Sequence, residues 1–293
     1  IFVRPRFDVY GKVSRQIMNV LREYTDLVEP ASLDEAYLDV TECKKEVTSA
    51  TLIAKEIKRR IFDSTELTAS AGVAPNKFLA KIASDMNKPD GLTVIPPKRV
   101  QGFLVNLPVG KVPGIGKVTE SRMHNIGLFT LEDIQQKTKG ELVAEFGKAG
   151  NWFYEIARGI DRREVAPERV TKSVGCEDTF AYDLHDLSEM ESELSELAGR
   201  LAERLGKRDY RGRTITLKVT YGDFKKITRS STQDEYVNDK AILQNVAVSL
   251  LRNTEASERP VRLLGISVSN FEHVEKNKAV SAQLSFPFPD DAK

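Results

Sequence analysis

The segment from residue 172 to residue 272 has the pattern that most restricts the fold of this chain. KSVGCEDTF is typical of a strand, and LSEMESELSELAGRLAERLGK is typical of an amphipathic helix. In RTITLKVTYGDF apolar and polar residues alternate, and a Gly222-Asp223 turn separates this strand from the next one, KKITRSSTQ. DKAILQNVAVSLLRNT predicts a second helix, and VRLLGISVSNF predicts a last strand. The order βαββαβ predicts a ferredoxin-like domain, in which two helices cover one face of a sheet and leave the other face open.

The charges of this segment are unevenly distributed, although the net charge of the whole chain is only +1. Residues 176–197 contain eight acidic residues and no basic one, whereas residues 199–229 contain ten Lys or Arg against three acids. A basic block of this density favours a polyanionic partner, and its alternative is a solvated face of the domain. We expect Lys218 and Arg229 to lie on the open face of the sheet, where they would contact phosphates.

The rest of the chain predicts further domains and a soluble α+β protein. A length of 293 residues exceeds that of one ordinary core and predicts two or three domains. No apolar run is long enough to span a membrane, and no signal peptide is evident at the start of the sequence. Cys43 and Cys176 lie far apart and outside any CxxC pattern, which favours a reduced, cytoplasmic protein.

Four carboxylates interrupt the strand-like stretch EPASLDEAYLDVT at residues 29–41. Burial of a charge without a partner is costly, so these side chains must lie at a solvent edge or bind something positive. Asp34 and Glu35 are adjacent, and adjacent residues of an ideal strand point to opposite faces. Both can therefore reach one site only if the backbone turns there or the strand ends. Asp39 is interpreted as a structural, capping residue.

A helix is predicted from PNKFLAKIASDM, with Pro75 at its start. Its apolar face comprises Phe78, Leu79, Ile82, Ala83 and Met86. Lys77, Lys81 and Lys88 fall near one line on the opposite side, for which a solvated lysine stripe is the simplest interpretation.

Residues 95–163 are predicted to be helical, with breaks at glycines. The stretch Pro113-Gly114-Ile115-Gly116-Lys117 predicts a tight hairpin between two short helices. Glycines let backbone N–H groups approach an anion closely, and the N-terminus of the following helix adds positive potential. The hairpin therefore favours sequence-independent contact with a DNA backbone, and its alternative is a plain glycine-rich helix connection.

Three stretches, SLDEAYLDVT, LTASAGVAPNKFLAKIASDMNKPDG and KVPGIGKVT, resemble the Y family of translesion DNA polymerases, of the bacterial DNA polymerase IV type. The resemblance extends over nearly the whole chain. It implies template-directed DNA synthesis of low fidelity in the response to DNA damage, with primer-template DNA and deoxynucleoside triphosphates as partners. It also implies a partial palm, a helical thumb, a linker, a little finger and a tail, at residues 1–94, 95–160, 161–171, 172–272 and 273–293.

The resemblance assigns roles to individual residues. Asp34 and Glu35 would bind two Mg²⁺ ions, with Asp34 between both ions and Glu35 near the one that activates the primer hydroxyl. Lys88 would contact the incoming triphosphate, and Lys81 is a weaker candidate for a substrate or template contact. Gly114, Gly116 and Lys117, together with the two basic residues of the open sheet face, would bind DNA.

The resemblance also predicts a departure from the family. A strand near the start of these polymerases supplies a further metal-binding aspartate, and the fingers follow it. No segment of this sequence matches them, and the surroundings of Asp8 assign that residue to a later position. We therefore expect an N-terminal stretch to be absent and this chain, alone, to polymerise poorly or not at all.

The end of the chain predicts a partner-binding peptide. Gln283, Leu284, Phe286 and Phe288 are unusual residues to leave in solvent. They resemble the Gln-Leu-x-Leu-Phe peptides that bind a sliding clamp, and the alternative is a disordered end. We otherwise expect a monomer without a membrane partner.

Two other functions compete with the polymerase. A DNA-binding module without catalysis would retain the hairpin and the little finger. A palm-type enzyme that makes cyclic nucleotides would share the paired carboxylates, but it would need neither the PGIGK hairpin nor the basic C-terminal domain. A purely structural role leaves the adjacent Asp34 and Glu35 unexplained.

Overall fold

A computed structural model describes residue 1 and residues 3–168 and 170–272 of the chain. The chain forms two compact units, residues 1–169 and 170–293. Within the described residues, no helix combines the length and the apolar character that crossing a bilayer requires.

The first part of unit 1 packs two amphipathic helices against a β-hairpin. Helix α1 (Phe7–Arg22) and helix α2 (Ala50–Thr65) flank strands β1 (Val28–Pro30) and β2 (Ala36–Leu38), which pair antiparallel. Their shared core contains seven buried side chains: Met18, Val20, Leu21, Tyr24, Val28, Ile53 and Ile61. The stretch at residues 29–41 that the sequence makes strand-like is thus not one continuous strand, because the chain turns back on itself in its middle.

The next elements place a third helix on a parallel strand pair. Strands β3 (Ala71–Val73) and β4 (Leu92–Val94) pair parallel, and helix α3 (Lys77–Met86) connects them. A Cβ on Gly72 would lie 2.1 Å from the carbonyl oxygen of Ala80, so only glycine allows α3 to lie this close to β3. Helix α3 begins after an Asn76 N-cap, which corrects the predicted start at Pro75.

Short helices complete unit 1. They are α4 (Val100–Val105), α5 (Lys117–Asn125), α6 (Leu131–Gln135), α7 (Lys139–Phe146) and α8 (Lys148–Ala157), with 3₁₀ turns at Pro97–Arg99 and Val109–Lys111. One hydrophobic core joins these helices to the buried face of α3. Phe78, Leu79, Ile82 and Ala83 belong to that core, whereas Met86 is 53% exposed and was wrongly predicted on the apolar face. The predicted palm–thumb boundary at residue 94 remains a prediction.

Unit 2 confirms the predicted βαββαβ order. Its elements are β5 (Ser173–Leu184), α9 (Leu187–Gly206), β6 (Gly212–Tyr221), β7 (Lys226–Val237), α10 (Lys240–Arg252), a 3₁₀ turn (Glu255–Ser257) and β8 (Val261–Phe271). The four strands are ordered β5-β8-β6-β7 and every neighbouring pair is antiparallel. Two split βαβ units therefore interlock: β8 lies between β5 and β6, and β6 lies between β7 and β8. Both helices pack on the face that contains Ile215, Leu217, Val219 and Tyr221.

Candidate active site

The adjacent carboxylates lie in the turn of the β1–β2 hairpin. Pro30 pairs with Ala36, which leaves residues 31–35 as the connection. The backbone N–H groups of Ala31 and Ser32 donate to the carbonyl oxygen of Glu35, at 2.9 and 3.3 Å, and close the turn. The Ser32 hydroxyl donates to Oδ1 of Asp34 at 2.6 Å. The backbone therefore turns at the carboxylate pair, which is one of the two arrangements under which both side chains could reach one site.

Four charged side chains of alternating sign connect Glu35 to Lys88. Lys81 Nζ lies 2.5 Å from Glu35 Oε1 and 3.3 Å from Asp85 Oδ2, and Lys88 Nζ lies 2.6 Å from Asp85 Oδ1. Burial tends to raise the pKa of Asp85, but the hydrogen bonds and charges of Lys88 and Lys81 outweigh it and lower that pKa. Burial likewise tends to lower the pKa of Lys81, but Glu35 and Asp85 raise it. The ion pairs therefore favour the charged forms of Lys81 and Asp85.

Helix α3 holds these lysines in place. Its buried face packs into the core, so Lys77 and Lys81 project from the other side toward the hairpin. Asn76 caps the helix by accepting from the N–H of Leu79 at 3.0 Å. The lysine line is thus not merely a solvated stripe, because each of its members pairs with an acid.

A second ion pair connects α3 to the hairpin and to the segment that follows α8. Lys77 Nζ lies 2.5 Å from Glu29 Oε2, and the N–H of Ala166 donates to the same carboxylate oxygen at 2.8 Å. Burial tends to raise the pKa of Glu29, but Lys77 and the Ala166 N–H lower it. Glu29 therefore helps to hold the hairpin against α3 and against the segment that follows α8. Asp39 is structural as predicted, because its Oδ1 accepts from the N–H of Thr41 at 2.9 Å.

The carboxylate pair offers the ligands that Mg²⁺ prefers. Asp34 is exposed, and Glu35 is half-exposed beside Lys81. Residues 1, 3–168 and 170–272 contain no cluster of three or more His, Cys, Asp or Glu that could hold a metal ion. Mg²⁺ commonly uses one or two carboxylates together with waters and substrate phosphates, and two oxygen-donor side chains in a solvent-accessible turn fit that coordination.

The PGIGK hairpin precedes α5, as the sequence predicts. Gly114 has a φ of +100°, and a Cβ there would lie 3.2 Å from the ring of Trp152. Gly116 is the N-cap residue of α5, and a Cβ there would meet no atom within 4 Å. No side chain caps this helix end, so the first N–H groups of α5 are available to an anion. The structure thus requires glycine for a positive φ at position 114, whereas at position 116 glycine leaves open space in front of the helix end. Lys117 is the first residue of the helix.

The open sheet face of unit 2 contains Lys218, but not Arg229. Lys218 Nζ lies 2.7 Å from Glu177 Oε2 in a shallow depression of the sheet. Arg229 pairs directly with Leu217, and directly paired residues share a face, so Arg229 lies on the helix side of the edge strand β7. The prediction that Arg229 lies on the open face is therefore wrong. The acidic and basic blocks also neutralise each other in part, through this pair and through that of Arg200 with Asp178.

Comparison with known proteins identifies the family. The profile "impB/mucB/samB family" matches residues 1–85, "DNA polymerase-iota, thumb domain" matches residues 110–161, and "impB/mucB/samB family C-terminal domain" matches residues 171–286. DNA polymerase IV of Alkalilimnicola ehrlichii is 51% identical over 279 residues, which cover 95% of this chain and 78% of that protein. DNA polymerase IV of Bacteroides fragilis is 46% identical over 294 residues, which cover 100% of this chain and 81% of that protein.

This chain belongs to the Y family of DNA polymerases, in the DNA polymerase IV group.

Solved structures agree with this membership. A Y-family polymerase chimera of Dbh and Dpo4 superposes with a TM-score of 0.83 at 33% identity, covering 92% of this chain and 78% of the chimera. The insertion ternary complex of Dbh DNA polymerase gives a TM-score of 0.58 at 32% identity, covering 92% of this chain and 78% of Dbh. The predicted palm, helical thumb and little-finger fold is confirmed, as is the enzyme class, a DNA-directed DNA polymerase of translesion synthesis and DNA repair. Membership of this Y-family group implies a metal-dependent enzyme.

Some predicted residues lie outside the described part of the chain, and two acids that contact α3 or its lysines were not predicted. Gln283, Leu284, Phe286 and Phe288, which are predicted to bind a clamp, lie outside the residues that the structure describes. Sequence reasoning missed Asp85, although its spacing of four residues from Lys81 and three from Lys88 is that of side-chain neighbours on a helix. It also missed Asp161, whose partner in α3 lies 83 residues away in the sequence.

Proposed function

We propose that this chain carries out template-directed translesion synthesis of low fidelity in the DNA damage response, by two-metal nucleotidyl transfer at Asp34 and Glu35. The observation that carries the proposal is the β1–β2 turn, in which Asp34 and Glu35 are adjacent and accessible to solvent, and Glu35 pairs with Lys81. Asp34 would contact both Mg²⁺ ions, and Glu35 would contact the ion on the primer side. Bound Mg²⁺ supplies activation of the primer 3′-hydroxyl and compensation of negative charge on the phosphates during in-line displacement.

The chain's own residues perform the remaining tasks. Ser32 orients the Asp34 carboxylate through its hydroxyl, and Lys81 holds the Glu35 carboxylate. Lys88 would contact the triphosphate, because its ammonium has two N–H donors beyond the one that Asp85 accepts. Lys81 would contribute positive charge to substrate or template at the same place.

Binding of DNA would use two surfaces, each within one unit. In unit 1 the N–H groups after Gly116, with Lys117, would contact backbone phosphates, and Gly114 would shape the turn. In unit 2 the open sheet face with Lys218 would contact phosphates, whereas Arg229 would reach DNA only along the edge strand. These contacts carry no base information, so affinity should fall steeply with salt. The insertion ternary complex of the related Dbh supports DNA and nucleotide as the substrates.

The test is primer extension with Mg²⁺. Asp34→Ala should abolish extension, whereas Asp39→Asn, a carboxylate change five residues away that affects only the Thr41 turn, should leave it intact. Binding of Mn²⁺, followed by its paramagnetic effect on water relaxation, gives a readout without catalysis and should also be lost in Asp34→Ala alone. Equal activity of both variants would refute the assignment of the site.

We also propose that the 293-residue chain alone extends primers poorly, because the described residues group no third carboxylate with Asp34 and Glu35. The primer-extension experiment also includes a hybrid protein, in which the N-terminal segment of a related DNA polymerase IV is joined to this chain. Extension by the hybrid only would support this proposal, and extension by the chain alone would contradict it. Salt-sensitive duplex binding without extension by either protein would instead favour the second candidate, a non-catalytic DNA-binding module.

The tail from Gln283 to Phe288 is proposed to bind a sliding clamp. Deletion of residues 283–293 should abolish co-purification with a bacterial clamp, and a Gln283→Ala, Phe286→Ala variant should reproduce the loss. Unchanged clamp binding after the deletion would refute this proposal and leave the polymerase assignment intact.

A further inference from the structure

The position of Asp85 is unfavourable for the helix that contains it. Asp85 is the penultimate residue of α3, and the last turn of this helix has no basic residue. Backbone carbonyls give a helix C-terminus negative potential, which repels a carboxylate. Here the repulsion is offset by two ion pairs of the Asp85 carboxylate, one with Lys81 in the same helix and one with Lys88 beyond the helix end. The i,i+4 pair within α3 accounts for only part of this arrangement, because the second pair reaches a lysine outside the helix.

The geometry gives Asp85 a central place among the charges of the site. It is the only one of the four that pairs with two lysines, and each of its oxygens faces a different one. Its partner Lys81 continues to Glu35, which the proposed function assigns to the metal site. Asp85 thus connects the carboxylate side of the site to the lysine that would contact the triphosphate.

Both lysines keep donors for a further anion. An ammonium has three N–H donors. Lys81 directs two of them at Glu35 and Asp85, and Lys88 directs one at Asp85. One donor of Lys81 and two of Lys88 are left, so a phosphate oxygen can bind without breaking the pairs to Asp85. A lysine side chain that is already held loses less rotamer freedom when the phosphate arrives.

We propose that Asp85 is a positioning residue for nucleotide binding, which holds Lys81 and Lys88 in the orientation that receives the phosphates of the incoming nucleoside triphosphate. The inference rests on the proposed role of Lys88. Removal of the Asp85 charge should weaken nucleotide binding about three- to tenfold, because two lysine side chains would regain rotamer freedom that binding must then restrict.

The experiment measures binding of deoxyadenosine triphosphate with Mg²⁺ and a primer-template duplex whose next template base is dT. The affinity is read from NMR shifts of the lysine ε-methylene groups, which report binding whether or not the chain extends the primer. Four proteins are compared: the unaltered chain, Asp85→Asn, Lys88→Ala and the double variant. Asp63→Asn is the matched control, because Asp63 also makes a helical ion pair, with Arg59 on α2, but does not pair with any of the site lysines.

The inference predicts that Asp85→Asn weakens binding in the unaltered chain and has a smaller effect once Lys88 is alanine. Unfolding in urea should show a small change in the stability of unit 1 of Asp85→Asn, comparable with that of Asp63→Asn, because the loss of two exposed ion pairs is partly offset by removal of an acid from a helix C-terminus. Equal effects of Asp85→Asn with and without Lys88, or no weakening at all, would overturn the positioning role. A binding loss accompanied by a much larger loss of stability of unit 1 than in Asp63→Asn would overturn it as well.

Failure of the proposed function gives a different result. If Lys88→Ala alone leaves nucleotide binding unchanged, Lys88 does not contact the triphosphate, and the present inference falls with that assignment. If Lys88→Ala weakens binding but Asp85→Asn does not, Lys88 keeps its role and only the positioning role of Asp85 is refuted.

Discussion

Asp161 offers the sharpest test of how unit 1 supports the site. Its side chain is only 3% exposed and accepts four hydrogen bonds: one from the N–H of Phe78 at 3.0 Å, and three from Arg163 through the backbone N–H, Nε and Nη2 at 3.2, 2.8 and 2.8 Å. Phe78 lies in the first turn of α3, and Asn76 Nδ2 donates to the carbonyl of Gly159 at 2.8 Å. Asp161 therefore fastens the segment after α8 to the helix that contains Lys81 and Asp85.

The expected cost of losing this carboxylate follows from its partners. A buried N–H left without an acceptor costs about 1–3 kcal/mol. A hydrogen bond to a charged group contributes about 1.5–3 kcal/mol, but Arg163 is 59% exposed and can be rehydrated, so its share is smaller. We expect Asp161→Ala to reduce the free energy of unfolding of unit 1 by about 3 kcal/mol. Asp161→Asn keeps one acceptor oxygen for the Phe78 N–H and should cost about 1.5 kcal/mol.

The assay is urea unfolding followed by tryptophan fluorescence. The chain has a single tryptophan, Trp152, and it lies in α8 of unit 1, so the signal reports that unit alone. With a slope of about 2 kcal/mol/M, Asp161→Ala should lower the midpoint by about 1.5 M. The exposed pair of Asp63 with Arg59 supplies the control, since Asp63→Asn should change stability by less than about 0.5 kcal/mol. Equal small effects at both positions would refute the role assigned to Asp161.

Three further predictions concern pH and DNA. Burial tends to raise the pKa of Asp161, but Arg163 and backbone donors lower it below the usual 3.8, so its contribution to stability should be constant above about pH 5 and shrink as the pH falls through the lowered pKa. A stability difference between the unaltered chain and Asp161→Asn that does not shrink below pH 3.8 would contradict this. Gly114→Ala should destabilise unit 1 by about 1–2 kcal/mol because φ is positive there. Gly116→Ala meets no steric clash and should cost less than about 1 kcal/mol, the difference between glycine and alanine at an N-cap, but it should weaken duplex binding about three- to tenfold. A larger loss of stability at Gly116 than at Gly114 would contradict these different roles. Lys218→Ala should reduce the slope of log duplex affinity against log salt concentration by about 1, and Arg229→Ala should reduce it by less, because of these two residues only Lys218 lies on the open face. A larger reduction by Arg229→Ala than by Lys218→Ala would show that DNA binds along the edge strand.

The elements that the sequence predicts correctly are those with a strong local pattern. In β6 the alternation of Ile215, Leu217 and Val219 with polar residues identifies the buried face without knowledge of any partner, because side chains alternate along every strand. At Asp34 and Glu35 the local geometry limited the choice to a turn or a strand end, and the β1–β2 pairing decided for the turn. The family follows from motifs that are contiguous in the sequence.

The errors occur where a weak pattern leaves the register open. KKITRSSTQ does not alternate clearly, so its periodicity does not decide which face Arg229 occupies. The β6–β7 turn decides it, and there Phe224 adopts a positive φ of 65° while its N–H donates to the carbonyl of Tyr221. A register shifted by one residue would have placed Arg229 on the open face.

By itself the sequence determined the family, the order of helices and strands in unit 2, the adjacent carboxylates Asp34 and Glu35, and the line of lysines on α3. Only the tertiary structure decided which acids those lysines meet, that Asp85 connects two of them, and that Asp161 fastens a distant segment to α3. The physical reason is the range of the interactions. Periodicity and turn chemistry act between neighbours in the sequence, whereas a hydrogen bond such as that from Phe78 to Asp161 exists only after packing has brought two remote segments within 3.0 Å.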